Sequence, residues 1–462
     1  MADHKKPAEW LYLKFTEVLD IQGGTQPPKS QFIDEACVGY IRLLQIRDFG
    51  KKPVPTYIPD TPKLKKCKKN DLLIGRYGAS LGRICTGMEG AYNVALAKVI
   101  TPSFIDSRFL HGYLNSEHFQ GALRLLSRSA QNGFNKSDLE TFDFLLPPLA
   151  EQKVIADKLD TLLAQVENTK VRLERIPQIL KRFRQSVLAA AVSGRLTAEW
   201  RSNSDSYIYP NAVDWKWPPI PGSWSVKHYS DLVESRLGKM LDKDKNRGIP
   251  TKYLGNINVR WFDFNLSEAQ EILVSEAERT ELTIRPGDVL ICEGGEPGRC
   301  AIWDGRVNEK IVFQKAIHRA RVSEFLIPEW LAFNLKHDAD SLTLEQLFTG
   351  TTIKHLTGKA LKKYPLRIPP IEEQTEIVRR VDQLFAHADH IEHQVNQALA
   401  RVNNLTQSIL AKAFRGELTE QWRKDNPELI SGENSASALL ERIKAERAAK
   451  TPAKRTRKKA TT

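Results

Sequence analysis

The chain contains a long internal repeat. Residues 146–152 read Leu-Pro-Pro-Leu-Ala-Glu-Gln, and residues 368–374, which lie 222 positions later, read Ile-Pro-Pro-Ile-Glu-Glu-Gln. The offset holds without a gap to residues 194–201 and 416–423, which share Gly, Leu, Thr, Trp and Arg at matching places. A match over more than fifty ungapped positions indicates a duplicated segment. The fold must therefore accommodate two copies of one architecture.

Each copy of the repeat carries apolar residues with the 4-3 spacing of a heptad. Only Thr169 interrupts the first stripe, and no polar residue interrupts the second. A heptad stripe sustained over more than four repeats is typical of a long helix that packs against another helix. Because neither stripe has another partner in the sequence, we expect the two helices to pair with each other. The stripe positions are Ile155, Leu159, Leu162, Val166, Leu173, Ile176, Leu180, Phe183 and Val187 in the first copy, and Ile377, Val381, Leu384, Ala388, Ile391, Val395, Ala398, Val402, Leu405 and Ile409 in the second.

Local signals mark the ends of both helices. A Pro-Pro pair ends the preceding strand and opens each helix, and Gly194 and Gly416 stand where a glycine C-cap belongs. From the first to the last stripe position each helix has about 33 residues, or about 50 Å. Pro177 lies inside the first helix where the second has Leu399, which predicts a kink near residues 172–176. A plain helical hairpin in a single globular core is the alternative.

The segments ahead of the repeats correspond more loosely. Residues 71–83 parallel 288–299, and residues 93–96 parallel 314–317. Both segments mix short β-like runs with one helical patch, so we expect two α+β domains of a common fold. The strand candidates are 40–46, 72–75, 91–100, 289–292 and 316–322, and the helical patches are 107–119 and 328–337.

The repeat divides the chain into six parts. The expected fold class is α+β, with two globular domains separated by a pair of long antiparallel coiled-coil helices and related by a pseudo-two-fold repeat. Residues 450–462 carry six Lys or Arg and no acid, so we expect a basic tail at the C-terminus. The parts are the variable domains 1–146 and 223–367, the helical repeats 147–201 and 368–423, the linker 202–222 and the C-terminal extension 424–462.

The charge of the chain favours a polyanionic partner. Sixty-nine Lys and Arg against 56 Asp and Glu leave a net charge of +13, and nucleic acid is the commonest partner of such a chain. A cytosolic protein that is merely basic is the alternative. No run of about 18 apolar residues occurs, and the five cysteines form no CxxC pair. We therefore expect a soluble protein of the reducing cytoplasm.

The loops of the variable domains offer side chains that can read DNA. Arg grips guanine O6 and N7, Asn and Gln pair with adenine N6 and N7, and Glu accepts from cytosine N4. For any one residue, a solvated loop side chain is the alternative. The candidates in the first domain are Gln22, Thr25, Gln26, Arg42, Gln45, Arg47, Arg76, Tyr77, Ser80, Arg83, Asn132, Asn135 and Lys136. The candidates in the second domain are Arg236, Lys239, Asn256, Asn258, Arg260, Glu293, Glu296, Arg299, Thr352, Lys354 and His355.

Catalytic motifs are missing from the sequence. No GxxxxGK[ST] phosphate loop occurs, nor an FxGxG-type cofactor loop, nor an Asn-Pro-Pro-Tyr-type methylation motif. His387, His390 and His393 recur every three residues, so they rotate around a helix and cannot meet one metal ion. We therefore expect no catalytic residue, metal site or cofactor on this chain.

Several strings resemble the specificity (S, HsdS) subunits of type I restriction–modification systems. They are Pro-Pro-Leu-Ala-Glu-Gln at 147–152, Leu-Asp-Thr-Leu-Leu-Ala-Gln at 159–165, Gln-Ile-Leu-Lys-Arg-Phe-Arg-Gln at 178–185 and Ser-Ile-Leu-Ala-Lys-Ala-Phe-Arg-Gly-Glu-Leu at 408–418. With Ile-Lys-Ala-Glu-Arg at 443–447, they are similar to the enterobacterial type IA (K) group. The resemblance covers the repeats, the C-terminal extension and the order of parts. The variable domains match in layout only.

The resemblance implies a non-catalytic subunit with two target recognition domains, each reading one half of an asymmetric, bipartite DNA site. It implies that two methyltransferase (M, HsdM) subunits dock on the repeats and carry S-adenosylmethionine and the adenine-N6 methylation site. Two motor-nuclease (R, HsdR) subunits would add ATP-driven translocation and Mg²⁺-dependent cleavage. A coiled-coil scaffold that binds only proteins and a self-sufficient methyltransferase or nuclease with atypical motifs are the alternatives.

The paired helices suggest a ruler for the two half-sites. The local dyad of duplex DNA relates two like domains that grip it equivalently, and helices related by the same dyad run antiparallel. About 50 Å of coiled coil suits half-sites about one helical turn, near 34 Å, apart. We expect a fixed, non-specific gap of about 5–8 base pairs.

Overall fold

The chain folds into two compact units. The computed structural model describes residues 7–50, 52–129, 133–201, 206–209, 215, 217–242, 244–267 and 269–450. One unit consists of Met1–Glu174 together with Gln397–Thr462, and the other of Arg175–Asn396. The first unit is therefore built from both ends of the chain, and the second from its middle.

The strands are short and lie in the variable domains and the segment between the repeats. They are β1 (Leu11–Lys14), β2 (Asp20–Gly23), β3 (Tyr40–Leu44), β4 (Tyr57–Pro59), β5 (Lys66–Cys67), β6 (Leu73–Gly75), β7 (Ile84–Cys85), β8 (Gly90–Tyr92), β9 (Leu96–Ile100), β10 (Asp143–Leu146), β11 (Tyr207–Ile208), β12 (Ile220–Pro221), β13 (Ser225–His228), β14 (Val233–Leu237), β15 (Ile249–Leu254), β16 (Val259–Arg260), β17 (Asp263–Phe264), β18 (Gln270–Val274), β19 (Val289–Cys292), β20 (Cys300–Ile302), β21 (Val312–Phe313), β22 (Ile317–Val322) and β23 (Pro365–Ile368).

Two helices are far longer than the rest. The α-helices are α1 (Phe15–Val18), α2 (Ser107–Asn115), α3 (Glu117–Ser129), α4 (Leu149–Val192), α5 (Tyr229–Leu232), α6 (Glu276–Leu282), α7 (Pro328–Asp340), α8 (Gly358–Leu361), α9 (Ile371–Phe414), α10 (Glu420–Asp425) and α11 (Ala436–Lys450). Short 3₁₀ helices span Lys29–Gln31, Ile46–Phe49, Gly78–Ser80, Asp138–Thr141, Arg195–Trp200, Thr343–Leu347, Glu417–Thr419, Pro427–Leu429 and Gly432–Asn434.

The two variable domains share one topology. Each has a four-stranded main sheet, of order β2-β9-β6-β7 in the first and β14-β22-β19-β20 in the second. Each also has a small sheet, β4-β3-β8-β5 or β18-β15-β21, in which one pair of strands, β3 with β8 or β15 with β21, runs parallel. The first and last strands of each domain pair antiparallel, β1 with β10 and β13 with β23. The predicted α+β class and its duplication are confirmed.

Two elements of the first domain differ from the sequence prediction. The predicted strand 91–100 is in fact two strands, β8 and β9, which belong to different sheets. A turn separates them, in which the Leu96 amide donates to the Asn93 carbonyl at 3.0 Å. The predicted helix 107–119 breaks at Ser116, whose amide and hydroxyl both bond to the Tyr113 carbonyl, and a new helix continues to Ser129. Local hydrogen bonds therefore override the apolar pattern at both places.

The long helices α4 and α9 have 44 residues each and end as the glycines predict. Gly194 and Gly416 adopt left-handed φ angles of 74° and 77° just past the helix ends. In each unit, the start of one helix bonds to the turn that follows the other, so the two helices run antiparallel within the unit. Helix α4 continues through Pro177, and the kink remains a prediction.

Most positions of the two stripes are buried or half-buried. In the first unit, stripe residues of α4 and α9 join one apolar cluster, and in the second unit they join another. Leu405 departs from the pattern, with 47% of its surface exposed. The heptad spacing therefore identifies the buried face of the two helices well, although not each stripe residue is buried.

Part of the segment 202–222 is ordered against the second domain. Strand β11 pairs with β12, and Trp217 is buried, with the Arg367 guanidinium 4.3 Å from its ring centre. Arg367 itself forms a buried ion pair with Asp338 at 2.8 Å. A buried charge pair under an indole fixes the end of this segment to the domain it precedes.

The C-terminal extension is folded and packed up to Lys450. Helix α11 packs Leu439, Leu440 and Ile443 into the core of the first unit. The Arg447 guanidinium donates to the carbonyls of Thr16 and Glu17 in the short helix α1. The basic residues beyond Lys450 lie outside the described residues. Within the described part of the chain, no helix combines the length and the apolar character needed to cross a membrane.

Candidate nucleic-acid interface

Strand directions bring several loops to one edge of each main sheet. Because β9 runs antiparallel to β2 and β6, the ends of β2 and β6 and the start of β9 meet, with Gly23 opposite Ala97 and Gly75 opposite Leu96. In the second domain, Leu237 lies opposite His318 and Cys292 opposite Ile317 in the same way. We call these places the first and second loop edges. They comprise residues 24–26, 45–49, 76–83, 93–95 and 133–136 in the first domain, and 238–241, 255–258, 293–299, 314–316 and 349–355 in the second.

Arginines predicted as base readers hold the first loop edge together. The Arg76 guanidinium donates to the Phe134 carbonyl at 3.2 and 3.3 Å and to the Val94 carbonyl at 3.4 Å. The Arg83 guanidinium donates to the Phe49 carbonyl. These bonds join segments far apart in sequence. Both side chains therefore hold these loops in position.

The second loop edge uses an arginine in the same way. The Arg299 guanidinium donates to the Asn256 carbonyl at 2.8 Å and pairs with Glu296 at 2.9 Å. The Asn256 side-chain carboxamide donates to the Gly294 carbonyl at 3.0 Å. Arg83 and Arg299 follow the same turn in the two domains. The same kind of arginine-to-carbonyl hydrogen bond therefore holds both loop edges.

Other candidates in the first domain also bond to their neighbours. Arg42 pairs with the buried Asp48, Gln22 accepts from the Tyr92 hydroxyl, Gln45 and Arg47 donate to Thr56, Ser80 donates to the Tyr77 carbonyl, Asn135 accepts from Ser137, and Lys136 pairs with Asp20. Tyr77 and Gln26 are exposed, and Thr25 is half-buried. Asn132 lies outside the described residues. The loop edge thus presents both engaged and open polar groups.

The candidates in the second domain include ion-paired, buried and exposed side chains. Arg236 pairs with Glu281 and Lys239 with Glu278, both on helix α6. Asn258 is buried, and its carboxamide closes a turn by bonding to Gly255 and Asn265 at 2.8 and 2.9 Å. The remaining candidates have half-buried or exposed side chains. They are Arg260, Glu293, Thr352, Lys354 and His355.

Sequence reasoning missed a pair of locks at the ends of the long helices. The buried Glu151 accepts from the Trp10 indole at 2.8 Å, and from the Thr419 hydroxyl and the Arg423 guanidinium at 2.6 Å each. We call these four residues the first lock. Glu151, Thr419 and Arg423 are identical to their counterparts in the other repeat, 222 positions away. Such identities do not reveal which side chains contact one another.

The second lock has the same geometry in the second unit. Glu373 accepts from the Trp224 indole at 2.9 Å, the Thr197 hydroxyl at 2.7 Å and the Arg201 guanidinium at 2.5 Å. In both locks the glutamate starts one long helix, and the Thr and Arg follow the end of the other. Each lock therefore fixes the antiparallel ends and the adjoining domain to one another.

A glutamine beside each lock glutamate ties the helix to the variable domain. Gln152 accepts from the Asp106 amide at 3.0 Å and donates to the Pro147 carbonyl at 2.9 Å. Gln374 accepts from the Ile327 amide, also at 3.0 Å. In both cases the helix of the domain is anchored at its N-terminal end.

The described residues contain no cluster of metal-binding type. Among them, no group of three or more His, Cys, Asp or Glu side chains could hold a metal ion. What the loop edges offer is hydrogen-bond donors and acceptors of several kinds on two copies of one scaffold.

Comparison with known proteins assigns the family. A model described as the type I restriction modification DNA specificity domain matches residues 7–178 and 221–401. The chain belongs to this family. Its relatives include the EcoKI specificity subunit of Escherichia coli K12, which is 36% identical over 99% of this chain and 100% of the relative. The EcoBI specificity subunit of Escherichia coli is 40% identical over 97% and 95%. The StySPI specificity subunit of Salmonella potsdam is 38% identical over 99% of each.

Solved structures share the fold of this DNA specificity chain. The HsdS subunit from Thermoanaerobacter tengcongensis superimposes with a TM-score of 0.57 at 20% identity, over 90% of this chain and 99% of that one. A chain from a study of complex assembly and conformational transition of the type I R-M system gives a TM-score of 0.66 at 19% identity, over 89% and 99%. The resemblance found in the sequence is confirmed. The chain is a non-catalytic member of a DNA recognition family.

Proposed function

We propose that this chain is the specificity subunit of a type I restriction–modification complex, and that each loop edge reads one half of an asymmetric, bipartite DNA site. The observation that carries the proposal is the duplication of one scaffold with different polar side chains at the same edge. Two domains with the same scaffold can approach DNA in the same way, and their different polar side chains can then recognise different bases. The complex would act on DNA in the bacterial cytoplasm.

We propose further that two methyltransferase (HsdM) subunits dock on the long helices and recruit two motor-nuclease (HsdR) subunits. Exposed apolar side chains on these helices support docking, because Ile179 is 60% and Leu405 47% exposed. S-adenosylmethionine, ATP and Mg²⁺ would then be bound by the partner subunits. This chain would supply the DNA sequence specificity and the surface on which the other subunits assemble.

The length of the helices supports a fixed spacing between half-sites. Forty-four residues of α-helix extend about 66 Å, and the stripe within them about 50 Å. Half-sites on one face of the duplex recur about every 34 Å. A non-specific gap of about 5–8 base pairs remains our expectation.

Mapping methylated adenines across a host genome that carries this system tests the proposal. We expect one bipartite motif with a constant gap, which disappears when the gene for this chain is deleted. A motif that persists after deletion, or one without a gap, would contradict the proposal.

Two assays on the purified chain separate the alternatives. We expect no binding of S-adenosylmethionine and no methylation or cleavage of DNA by the chain alone, which a self-sufficient enzyme would show. We also expect DNA affinity to fall steeply with salt, because phosphate contacts release counterions. A scaffold that binds only proteins would show weak binding that salt hardly changes.

A further inference from the structure

One position in each loop edge places two polar side chains side by side. Thr25 forms a parallel β-bridge with Asn93, and Lys239 forms a parallel β-bridge with Gln314. Both bridges directly follow the first strand of the main sheet and precede the strand beside it. The two domains therefore carry Thr with Asn, and Lys with Gln, at one and the same place in the fold.

A glycine clamps each bridge. A Cβ on Gly24 would overlap the carbonyl oxygens of Tyr92 and Asn93, and a Cβ on Gly238 would overlap that of Phe313. Only glycine permits this approach. Backbone hydrogen bonds then hold the bridges, from the Thr25 amide to the Tyr92 carbonyl at 3.0 Å and from the Lys239 amide to the Phe313 carbonyl at 2.9 Å. The side chains at the next position are displayed from a fixed frame, as a base-reading residue requires.

The first bridge holds two buried side-chain oxygens without a partner among the described residues. The Thr25 hydroxyl and the Asn93 Oδ1 atom are buried and have no hydrogen-bond partner among the residues that the structure describes. Leaving such a group unpaired costs about 1–3 kcal/mol. A donor from outside the chain, such as a base edge, would satisfy these two oxygens.

The second bridge holds an oriented cation. The Lys239 ammonium donates to Glu278, whose carboxylate also accepts from the Ser275 amide at 3.0 Å at the start of helix α6. The Lys239 side chain is 18% exposed, and the hydrogen bond from Lys239 lowers the pKa of Glu278. Gln314 lies over Gly255, where a Cβ would be 3.0 Å from Gln314 Oε1. Both side chains are therefore confined but not closed off from solvent.

We propose that Asn93 with Thr25 and Gln314 with Lys239 determine base specificity in the two half-sites, and that Glu278 positions Lys239. This rests on the proposed function. The carboxamides of Asn93 and Gln314 read adenine through N6 and N7, and Lys239 reads guanine O6 and N7 at a neighbouring pair. Asn93, Gln314 and Glu278 were not among the candidates from the sequence.

The test selects bound duplexes from a random double-stranded library with the full-length chain and sequences them. Lys239→Met and Gln314→Leu should each reduce the preference at one position of the second half-site about ten- to a hundred-fold and leave the first half-site unchanged. Asn93→Ala should do the reverse. Lys227→Met, which removes the same charge from strand β13, is the matched control and should preserve both half-sites.

The role of Glu278 is tested by a pair of equal charge changes. Glu278→Gln should broaden the preference at the position that Lys239 reads, whereas Glu281→Gln, which frees Arg236, should leave that position unchanged. If both variants alter affinity equally and base preference not at all, helix α6 acts only through its charge and the positioning role is wrong.

The outcomes separate this inference from the proposed function. A wild-type chain that selects no bipartite motif contradicts the proposed function. A wild-type motif that Lys239→Met, Gln314→Leu and Asn93→Ala all leave intact overturns the inference alone. Circular dichroism confirms folding, and Lys239→Arg, which keeps a donor for guanine, should retain the preference that Lys239→Met loses. A loss in both variants would also count against the inference.

Discussion

At the scale of the residue, the two locks show how buried charges specify one arrangement of chain ends. Glu151 and Glu373 are 0% and 1% exposed, and each accepts three hydrogen bonds from an indole, a hydroxyl and a guanidinium. A buried carboxylate is tolerated only when its partners are all in place. The locks therefore select the pairing of helix ends as well as stabilising it.

Substituting Glu373 by Gln should destabilise the second unit by about 3 kcal/mol, because it leaves the Arg201 guanidinium buried without its counter-charge. Urea unfolding followed by circular dichroism measures the loss. The neighbouring Glu372→Gln, which changes an exposed side chain, is the control. Equal stability of the two variants would show that the lock contributes nothing.

At the scale of the element, helix α11 illustrates what local patterns leave undecided. Its residues are charged on most faces, and the sequence predicts only a C-terminal extension with a basic tail. In the structure Ile443 is fully buried, and Glu446 accepts from the Ser103 hydroxyl at 2.8 Å. The helix is thus part of the core of the first unit.

Ile443→Ala should lower the free energy of unfolding by about 2–4 kcal/mol, because it removes a buried side chain and leaves a cavity. Thermal unfolding gives the size of the effect. Lys444→Ala, one residue further on and exposed, should change stability by less than about 0.5 kcal/mol. An Ile443→Ala variant as stable as this control would mean that α11 is not packed in solution.

The ruler proposed for the long helices belongs to the scale of the element. Removing one heptad of seven residues from either long helix should change the gap of the recognised site or abolish binding, because it shortens the spacer by about 10 Å. Library selection reads the gap directly. Replacing the same heptad by another with the same stripe should leave the gap as it was. An unaltered gap after the deletion would contradict the ruler.

At the scale of the whole molecule, the duplication confines the variation to the domains and keeps the repeats alike. The variable domains share a topology but differ in their loops, while the repeats keep their identities over the long helices and the locks. Since the second variable domain lies within one contiguous unit, it forms a replaceable module.

Exchanging residues 223–367 for those of a relative should change one half-site of the recognised sequence and preserve the other. Methylated sites mapped before and after the exchange give the answer. Exchange of the linker 202–222 alone should change neither half. A change in both halves would contradict the two-module organisation.

The sequence by itself determined the architecture. Repeats at a constant offset, heptad spacing, the Pro-Pro pairs and the terminal glycines together predicted two long helices and two like domains, because each signal is local or periodic. It also predicted two strands of the second domain, β19 and β22. The family follows from strings within these same repeats.

Only the tertiary structure decided which side chains meet. Arg76, Arg83 and Arg299 hold loops together, and Asn258 closes a buried turn. Asn93 and Gln314 lie at the loop edges, although the sequence did not single them out as candidates. The locks join Trp, Glu, Thr and Arg from positions up to 413 residues apart. Such contacts depend on strand pairing and on chain ends that return to each other, and no local pattern encodes these distances.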